Sequence, residues 1–149
     1  GNYTAQQKFL IYQKGIRVTG AGPWYTRILA PANQENTNIG FDLQTGASGT
    51  RVDNLAVFGN YTWREDGPGK VFDAKNLTNL TVENVWIEHF LCLFWGTNVD
   101  NSTIRNTRSR DTFADIVNLT NGSTGNLVTN NESHFSTIPG LTVISEKTP

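Results

Sequence analysis

The chain has 149 residues, 17% of them charged, and a formal net charge of −1. This length fits one domain, and the balanced charge gives no basic surface for nucleic acid. The single cysteine, Cys92, excludes an internal disulfide and a cysteine-rich zinc module, and no apolar stretch is long enough to cross a bilayer. The chain begins at Gly1 and contains no methionine, so we expect a processed or excised piece.

The composition favours strands and turns. The chain contains 17 Asn, 19 Thr and 14 Gly. Asn and Gly tolerate a left-handed backbone at tight bends, and Thr favours pleated, half-buried surfaces. We therefore expect little helix.

A six-residue template recurs along the chain and predicts the fold. Its copies lie at 49–54, 79–84, 101–106 and 125–130, at offsets of 30, 22 and 24 residues. A loop over 60–69 accounts for the longest offset. A second series agrees, since Phe72, Phe94 and Ile116 are each 22 residues apart, with Phe41 as a more distant forerunner. Such a period is typical of one coil of a parallel β-helix.

The repeat predicts one all-β domain over 1–149 with roughly five to six coils of about 22–24 residues. We expect an irregular entry over 1–30, regular coils over about 49–132 and a non-repeating tail over 133–149. Open strand edges at the ends would allow self-association. An antiparallel sandwich would lack the repeated register, and the signature of a leucine-rich repeat is missing.

The same register predicts what the bends and outer faces carry. Four asparagines fall at one bend, where their amides can bond from coil to coil: Asn54, Asn84, Asn106 and Asn130. After this bend, two outward columns are expected to pair opposite charges on adjacent coils. Their members are Ala56, Trp86, Arg108 and Glu132 in one column, and Phe58, Glu88, Arg110 and His134 in the other.

The triplet Asn-x-Ser/Thr is frequent and has two interpretations. Chance in an Asn- and Thr-rich chain is one, and a secreted, glycosylated surface is the other. The eight candidate sites are Asn2, Asn60, Asn76, Asn79, Asn101, Asn118, Asn121 and Asn131.

An ordered set of phrases carries a family resemblance over roughly residues 1–132. It includes Phe-Trp-Gly-Thr-Asn at 94–98 and Asp-Thr-Phe-Ala-Asp at 111–115, with further phrases at 18–28, 54–59, 84–89 and 118–122. Together they resemble the right-handed β-helix catalytic domain of the α-1,3-glucanase and mycodextranase group, glycoside hydrolase family 87. The resemblance implies an extracellular lineage that hydrolyses α-glucan with inversion, binds polysaccharide in a surface groove and needs no cofactor.

The resemblance also implies site residues. Asp115 matches the first catalytic aspartate of the family. The adjacent aspartate pair of the family is expected about 23 residues later, where this chain has Ile138 and Pro139. Inverting hydrolysis needs an acid and a second carboxylate. We expect the other substrate-binding residues to be Trp95, Trp63, Asp73, Asp111 and Asn118.

Three interpretations follow from these residues. One is a glycoside hydrolase, in which Asp115 acts with a second carboxylate. Another is a non-catalytic, glycosylated β-solenoid that binds polysaccharide or assembles into a structural fibre. A pectate-lyase-like enzyme is disfavoured, because the basic cluster and paired calcium ligands of that chemistry are not evident. His89 and His134 are two coils apart in the repeat, so we predict no metal site.

Overall fold

The computed structural model describes residues 1–64 and 67–135. These residues form fourteen β-strands, and every strand pair is parallel. The described chain contains no apolar helix of membrane-spanning length. The strands are β1 (Asn2–Thr4), β2 (Lys8–Ile11), β3 (Arg17–Thr19), β4 (Arg27–Leu29), β5 (Gly40–Leu43), β6 (Arg51–Phe58), β7 (Lys70–Thr78), β8 (Thr81–Phe90), β9 (Cys92–Asp100), β10 (Thr103–Arg105), β11 (Arg108–Thr112), β12 (Val117–Thr120), β13 (Leu127–Thr129) and β14 (Glu132–His134).

The strands stack coil on coil in two parallel sheets. One sheet runs in the order β1-β4-β6-β8-β10-β13, with β3, β11 and β14 attached beside this path. The other runs in the order β12-β9-β7-β5-β2 and receives one strand from each turn of the chain. This arrangement confirms the predicted parallel β-helix. The entry segment 1–30 already contributes four short strands, β1 to β4, which pair with strands of later coils.

The register confirms the six-residue template. Val52, Val82, Ile104 and Val128 occupy equivalent positions in successive coils. The prediction for the second series is wrong by one residue, because Val117 and not Ile116 pairs with Phe94. Three residues separate Phe90 from Phe94, whereas four separate their partners Thr112 and Val117, and this extra residue shifts the register.

A stack of aromatic rings runs along the core. The rings of Phe41 and Phe72 have centroids 5.2 Å apart, and those of Phe72 and Phe94 are 6.3 Å apart. All three side chains are buried. Because the same position of each coil faces inward, in-register stacking places one ring directly on the next.

Left-handed asparagines turn the chain between strands. Asn54, Asn84, Asn106 and Asn130 have φ angles of 59°, 50°, 55° and 53°. The Asn84 amide donates a hydrogen bond of 2.8 Å to the Asn54 side-chain oxygen, as the ladder prediction requires. A second ladder, which the sequence analysis missed, joins the amide of Asn98 to the oxygen of Asn76 at 3.0 Å.

Before the bend at Asn54 and Asn84, the outer face of the first sheet carries alternating charges. Asp53 is buried and pairs with Arg51 and Arg17, and Glu83 lies 2.6 Å from Arg51 and 2.9 Å from Arg105. Hydrogen bonding from Arg105 holds the pKa of the Glu83 carboxyl below its ordinary value, although its partial burial opposes this. These contacts link four successive strands, β3, β6, β8 and β10, through their side chains.

The aromatic stack generates the first prediction. Replacing Phe72 with alanine removes a ring from the middle of the stack and leaves a cavity that neighbouring coils cannot fill. We expect the free energy of unfolding to fall by about 3–5 kcal/mol. Urea denaturation measures it. The matched control is Phe9→Ala, because Phe9 is 47% exposed on the edge strand β2, and equal losses for the two variants would contradict this account.

The charged face generates a pH prediction. Glu83→Gln removes a carboxylate that is ionised more readily in the folded chain than in the unfolded chain. Its contribution, about 1 kcal/mol, is therefore present above the ordinary carboxyl pKa and is lost as the pH falls through the lowered value. Urea denaturation at neutral and acidic pH should show the wild-type advantage shrinking with acid. Glu35→Gln, in an exposed loop, is the control, and a difference at Glu83 that does not change with pH would refute the prediction.

Candidate functional site

The second sheet carries a line of polar side chains on its outer face. The strand register aligns Asp42 of β5, Asp73 of β7, Trp95 of β9 and Asn118 of β12. We call this line the polar column. Neighbouring strands in a sheet lie about 4.8 Å apart, so each side chain stands beside the next. Three of the predicted substrate-binding residues are thus brought together.

Asp115 joins the end of the polar column. It lies on the bend before β12, and the Asn118 amide donates a hydrogen bond of 3.1 Å to its Oδ2 atom. Asn118 is only 5% exposed, so this amide is fixed in place. The structure therefore holds the predicted catalytic carboxylate against the predicted binding residues.

Two lysines of the same face were missed by the sequence analysis. The Lys8 ammonium lies 3.9 Å from the Asp73 carboxylate, and the Lys70 ammonium lies 4.2 Å from the centroid of the Trp95 ring. Burial lowers the pKa of Lys8, and the carboxylates of Asp73 and Asp42 oppose this only in part. One face of the Trp95 indole is thus covered by a cation. Strand alternation from the inward Phe72 would place Lys70, two residues earlier, on the inner face, so the sequence carried no signal for its outward position.

Two buried acceptors of the polar column have no hydrogen-bond partner among the described residues. Neither Oδ1 of Asp73 nor Oδ1 of Asn118 accepts a hydrogen bond from the described residues. The indole of Trp95 lies between the two side chains. A buried acceptor gains free energy when it is paired, so a hydroxyl group that reaches either atom would be bound favourably.

Cys92 lies beneath the polar column. It is buried, and this burial raises the pKa of its thiol to about 12. Lys70 and Lys8 act in the opposite direction, whereas Asp115 and Asp73 add to the increase. The two aspartates thus act electrostatically on the same sulfur atom from different coils.

Two predicted site residues lie apart from the polar column. Asp111 belongs to β11 in the other sheet, where its carboxylate lies 3.3 Å from Arg110. Trp63 is 56% exposed in the loop after β6, and the strand register does not align it with the polar column. The repeat does not determine where these side chains point, because Asp111 sits at a left-handed bend with φ 48° and Trp63 lies in a loop between β6 and β7.

The bend at Asp111 brings together a group that the sequence analysis missed. Ligand atoms of Glu88, His89 and Asp111 lie within 4.8 Å of one another, a spacing that a divalent cation can bridge. Arg110 already pairs with both carboxylates, at 3.5 Å from Glu88 and 3.3 Å from Asp111. One of the two carboxylate charges of the group is therefore compensated by a side chain of the chain itself.

Three of the eight candidate glycosylation asparagines are buried or only partly exposed and are held by internal contacts. The Asn118 amide binds Asp115, and Asn60 accepts a hydrogen bond of 2.8 Å from the backbone of Thr37. Asn131 accepts from Thr107 and donates to the backbone of Ile104. The remaining five are exposed: Asn2, Asn76, Asn79, Asn101 and Asn121.

The fold and the polar column define a parallel β-helix protein with carboxylates, amides and an indole aligned on one outer face. The model of the family described as alpha-1,3-glucanase catalytic domain D2 matches residues 1–145. The chain belongs to this family of α-1,3-glucanase catalytic domains. Comparison with characterised protein sequences gives no significant match.

Solved structures agree with this assignment. The catalytic domain of a GH87 alpha-1,3-glucanase, an aspartate-to-alanine variant in complex with tetrasaccharides, is 41% identical with a TM-score of 0.91, over 96% of this chain and 26% of that chain. A variant in complex with nigerose is 44% identical with a TM-score of 0.85, over 89% of this chain and 24% of that chain. The Agl-KA catalytic domain is 27% identical with a TM-score of 0.79, over 97% of this chain and 27% of that chain. This chain spans about a quarter of the length of these relatives.

The position of Cys92 generates a prediction about reactivity. Because the thiolate is the reactive form and the thiol is buried with a raised pKa, we expect iodoacetamide to modify the folded chain at pH 8 at least ~100-fold more slowly than the urea-unfolded chain. Mass spectrometry of the alkylated protein measures both rates. Fast, complete labelling in native buffer would contradict the placement of Cys92 beneath the polar column.

Proposed function

We propose that the chain is part of an extracellular glycoside hydrolase that acts on α-1,3-glucan by inversion. The observation that carries the proposal is the hydrogen bond between Asn118 and Asp115, which holds the carboxylate at the end of the polar column. Membership of the α-1,3-glucanase family and the complexes of related catalytic domains with nigerose and tetrasaccharides support α-glucan as the substrate.

In this proposal Asp115 exchanges a proton with the substrate. The Asn118 amide donates to Oδ2 of Asp115, so this bond fixes the plane of the carboxylate and leaves Oδ1 to face the glycosidic oxygen or the attacking water. General acid–base catalysis by a positioned carboxylate contributes roughly 10²–10⁴-fold to a rate. Asn118 is therefore a positioning residue for Asp115.

Inversion also needs a second carboxylate, roughly 6.5–9.5 Å from the first, with a water between them. Asp73 faces the same side as Asn118 but two strands away, a separation of about 9.6 Å before the offset to Asp115 is added. It is also paired with Lys8. We therefore assign Asp73 to substrate binding. The position of the family's aspartate pair, at 138–139, lies outside the described residues.

The polar column supplies the binding surface in this proposal. The unpaired Oδ1 atoms of Asp73 and Asn118 are buried, so these side chains must turn outward to accept hydrogen bonds from sugar hydroxyls. The indole of Trp95 between them packs against the apolar face of a ring. Lys70 lies over the same indole. It must move aside for stacking on that face, or it must itself donate to a hydroxyl.

A second candidate function is a non-catalytic, glycosylated β-solenoid that binds polysaccharide or self-assembles into a fibre. Exposed apolar side chains at the first strands favour it: Tyr3 is 59% exposed, Phe9 47% and Leu10 58%. Strands β1 and β2 lie at the ends of the sheet orders, so their free edges can pair with another copy. The exposed sites Asn76, Asn79, Asn101, Asn121 and Asn2 would carry the glycans.

The experiment is reducing-sugar release from α-1,3-glucan by the purified chain and its Asp115→Asn variant. Loss of the carboxylate removes the proton transfer, so we expect release to fall by roughly 10²–10⁴-fold while binding to the insoluble glucan persists. Glu35→Gln, which replaces an exposed loop carboxylate, should leave release unchanged.

Two results would overturn the hydrolase proposal. Equal release by wild type and Asp115→Asn would remove Asp115 from the reaction. Binding of the wild-type chain without any release would favour the non-catalytic solenoid, and sedimentation analysis would then separate polysaccharide binding from fibre assembly.

A further inference from the structure

The first sheet carries a groove that the proposed reaction does not use. The predicted outward columns are confirmed, since Trp86, Arg108 and Glu132 align in one column and Glu88, Arg110 and His134 in the next. Together with Trp24, Phe58 and Phe135 they line a groove of about 530 Å³, which we call the aromatic groove. The polar column and Asn118 belong to the other sheet.

The aromatic groove has a fixed, exposed indole at its wall. Trp24 is 65% exposed. Its ring meets Trp86 edge to face, with centroids 4.7 Å apart and planes at 77°. Such contacts hold a ring in one orientation, so the Trp24 surface is presented without a loss of side-chain freedom on binding. Phe135, which is 77% exposed, adds a second apolar surface.

The charges of the aromatic groove are paired with each other. The Arg108 guanidinium lies 3.0 Å from Glu132 and stacks 4.7 Å from the centroid of the Trp86 ring. Arg110 lies 3.5 Å from Glu88 and 5.6 Å from the centroid of the Phe135 ring. Two arginines are thus balanced by two glutamates, and neither a polyanion nor a polycation is favoured.

This combination selects the chemistry of a ligand. Exposed aromatic rings pack against the apolar C–H face of a pyranose, and ion-paired groups still offer N–H donors and carboxylate acceptors to hydroxyls. A neutral ligand with one apolar face and many hydroxyls meets both conditions. The volume also falls within the roughly 300–1,000 Å³ of small-molecule sites.

We propose that the aromatic groove is a second carbohydrate-binding site that holds a neutral α-glucan segment apart from the Asp115 carboxylate. The identity of the sugar rests on the proposed function, whereas the groove itself does not. Trp24 provides the stacking surface, and Arg110 and Glu88 provide hydrogen bonds to hydroxyl groups. A glucan polymer bound to the first sheet stays near the protein while successive segments of the polymer bind to the polar column and leave it.

The test measures binding separately from hydrolysis. In the Asp115→Asn background, α-1,3-linked oligosaccharides are titrated against the full chain, and binding is followed by calorimetry. We expect Trp24→Ala to weaken binding about 10-fold, and Phe135→Ala, at an exposed position that does not support the core, to weaken it several-fold. Tyr12→Ala is the matched control, because Tyr12 is a 62% exposed ring at the opposite end of the described chain.

Each outcome decides the proposal. Unchanged affinity in both the Trp24 and the Phe135 variants overturns it, and so does equal weakening by Tyr12→Ala. Self-association that depends on Trp24 and is insensitive to the oligosaccharide also overturns it, in favour of a protein contact. Weakening by Trp24→Ala in a wild-type chain that shows no hydrolysis supports the aromatic groove and rejects only the hydrolase proposal.

Discussion

The structure depends on in-register stacking of parallel strands at a spacing of about 4.8 Å. Each coil must repeat the path of the coil before it, so equivalent positions form straight columns across the sheets. Left-handed asparagines such as Asn54 and Asn84 make this possible, because they turn the chain sharply and bond to each other between coils. Core rings, surface charges and the polar column are all consequences of that one repeat.

Because equivalent positions form columns, each outer face of the β-helix carries its own set of side chains. The stripe around Asp53 and Glu83 joins neighbouring coils by ion pairs, whereas the outer face of the second sheet collects Asp73, Trp95 and Asn118. Residues far apart in sequence therefore become neighbours without any loop to carry them. A site built in this way gains a residue with each coil, which suits a chain-like ligand better than a compact one.

Much of this could be predicted from the sequence, because the repeat fixes both inward and outward positions. The pairs Glu88 with Arg110 and Arg108 with Glu132 follow from counting alone, and the structure confirms them. Counting residues along the repeat gave the wrong register at Val117, because the bend before it has a different length. It also gave the wrong direction for the Asp111 side chain, because a left-handed backbone redirects it. It also missed Lys8, since the strand that carries it precedes the recognisable copies of the template.

The buried amide of Asn118 has a consequence for how the chain is produced. Its side chain begins the triplet Asn-Leu-Thr, yet the folded protein encloses it at 5% exposure against Asp115. An oligosaccharyltransferase acts on an unfolded segment, before that enclosure exists. Production in a eukaryotic secretory host would therefore set glycan transfer in competition with the docking of β12, and every chain modified there would be unable to pair β12 with β9.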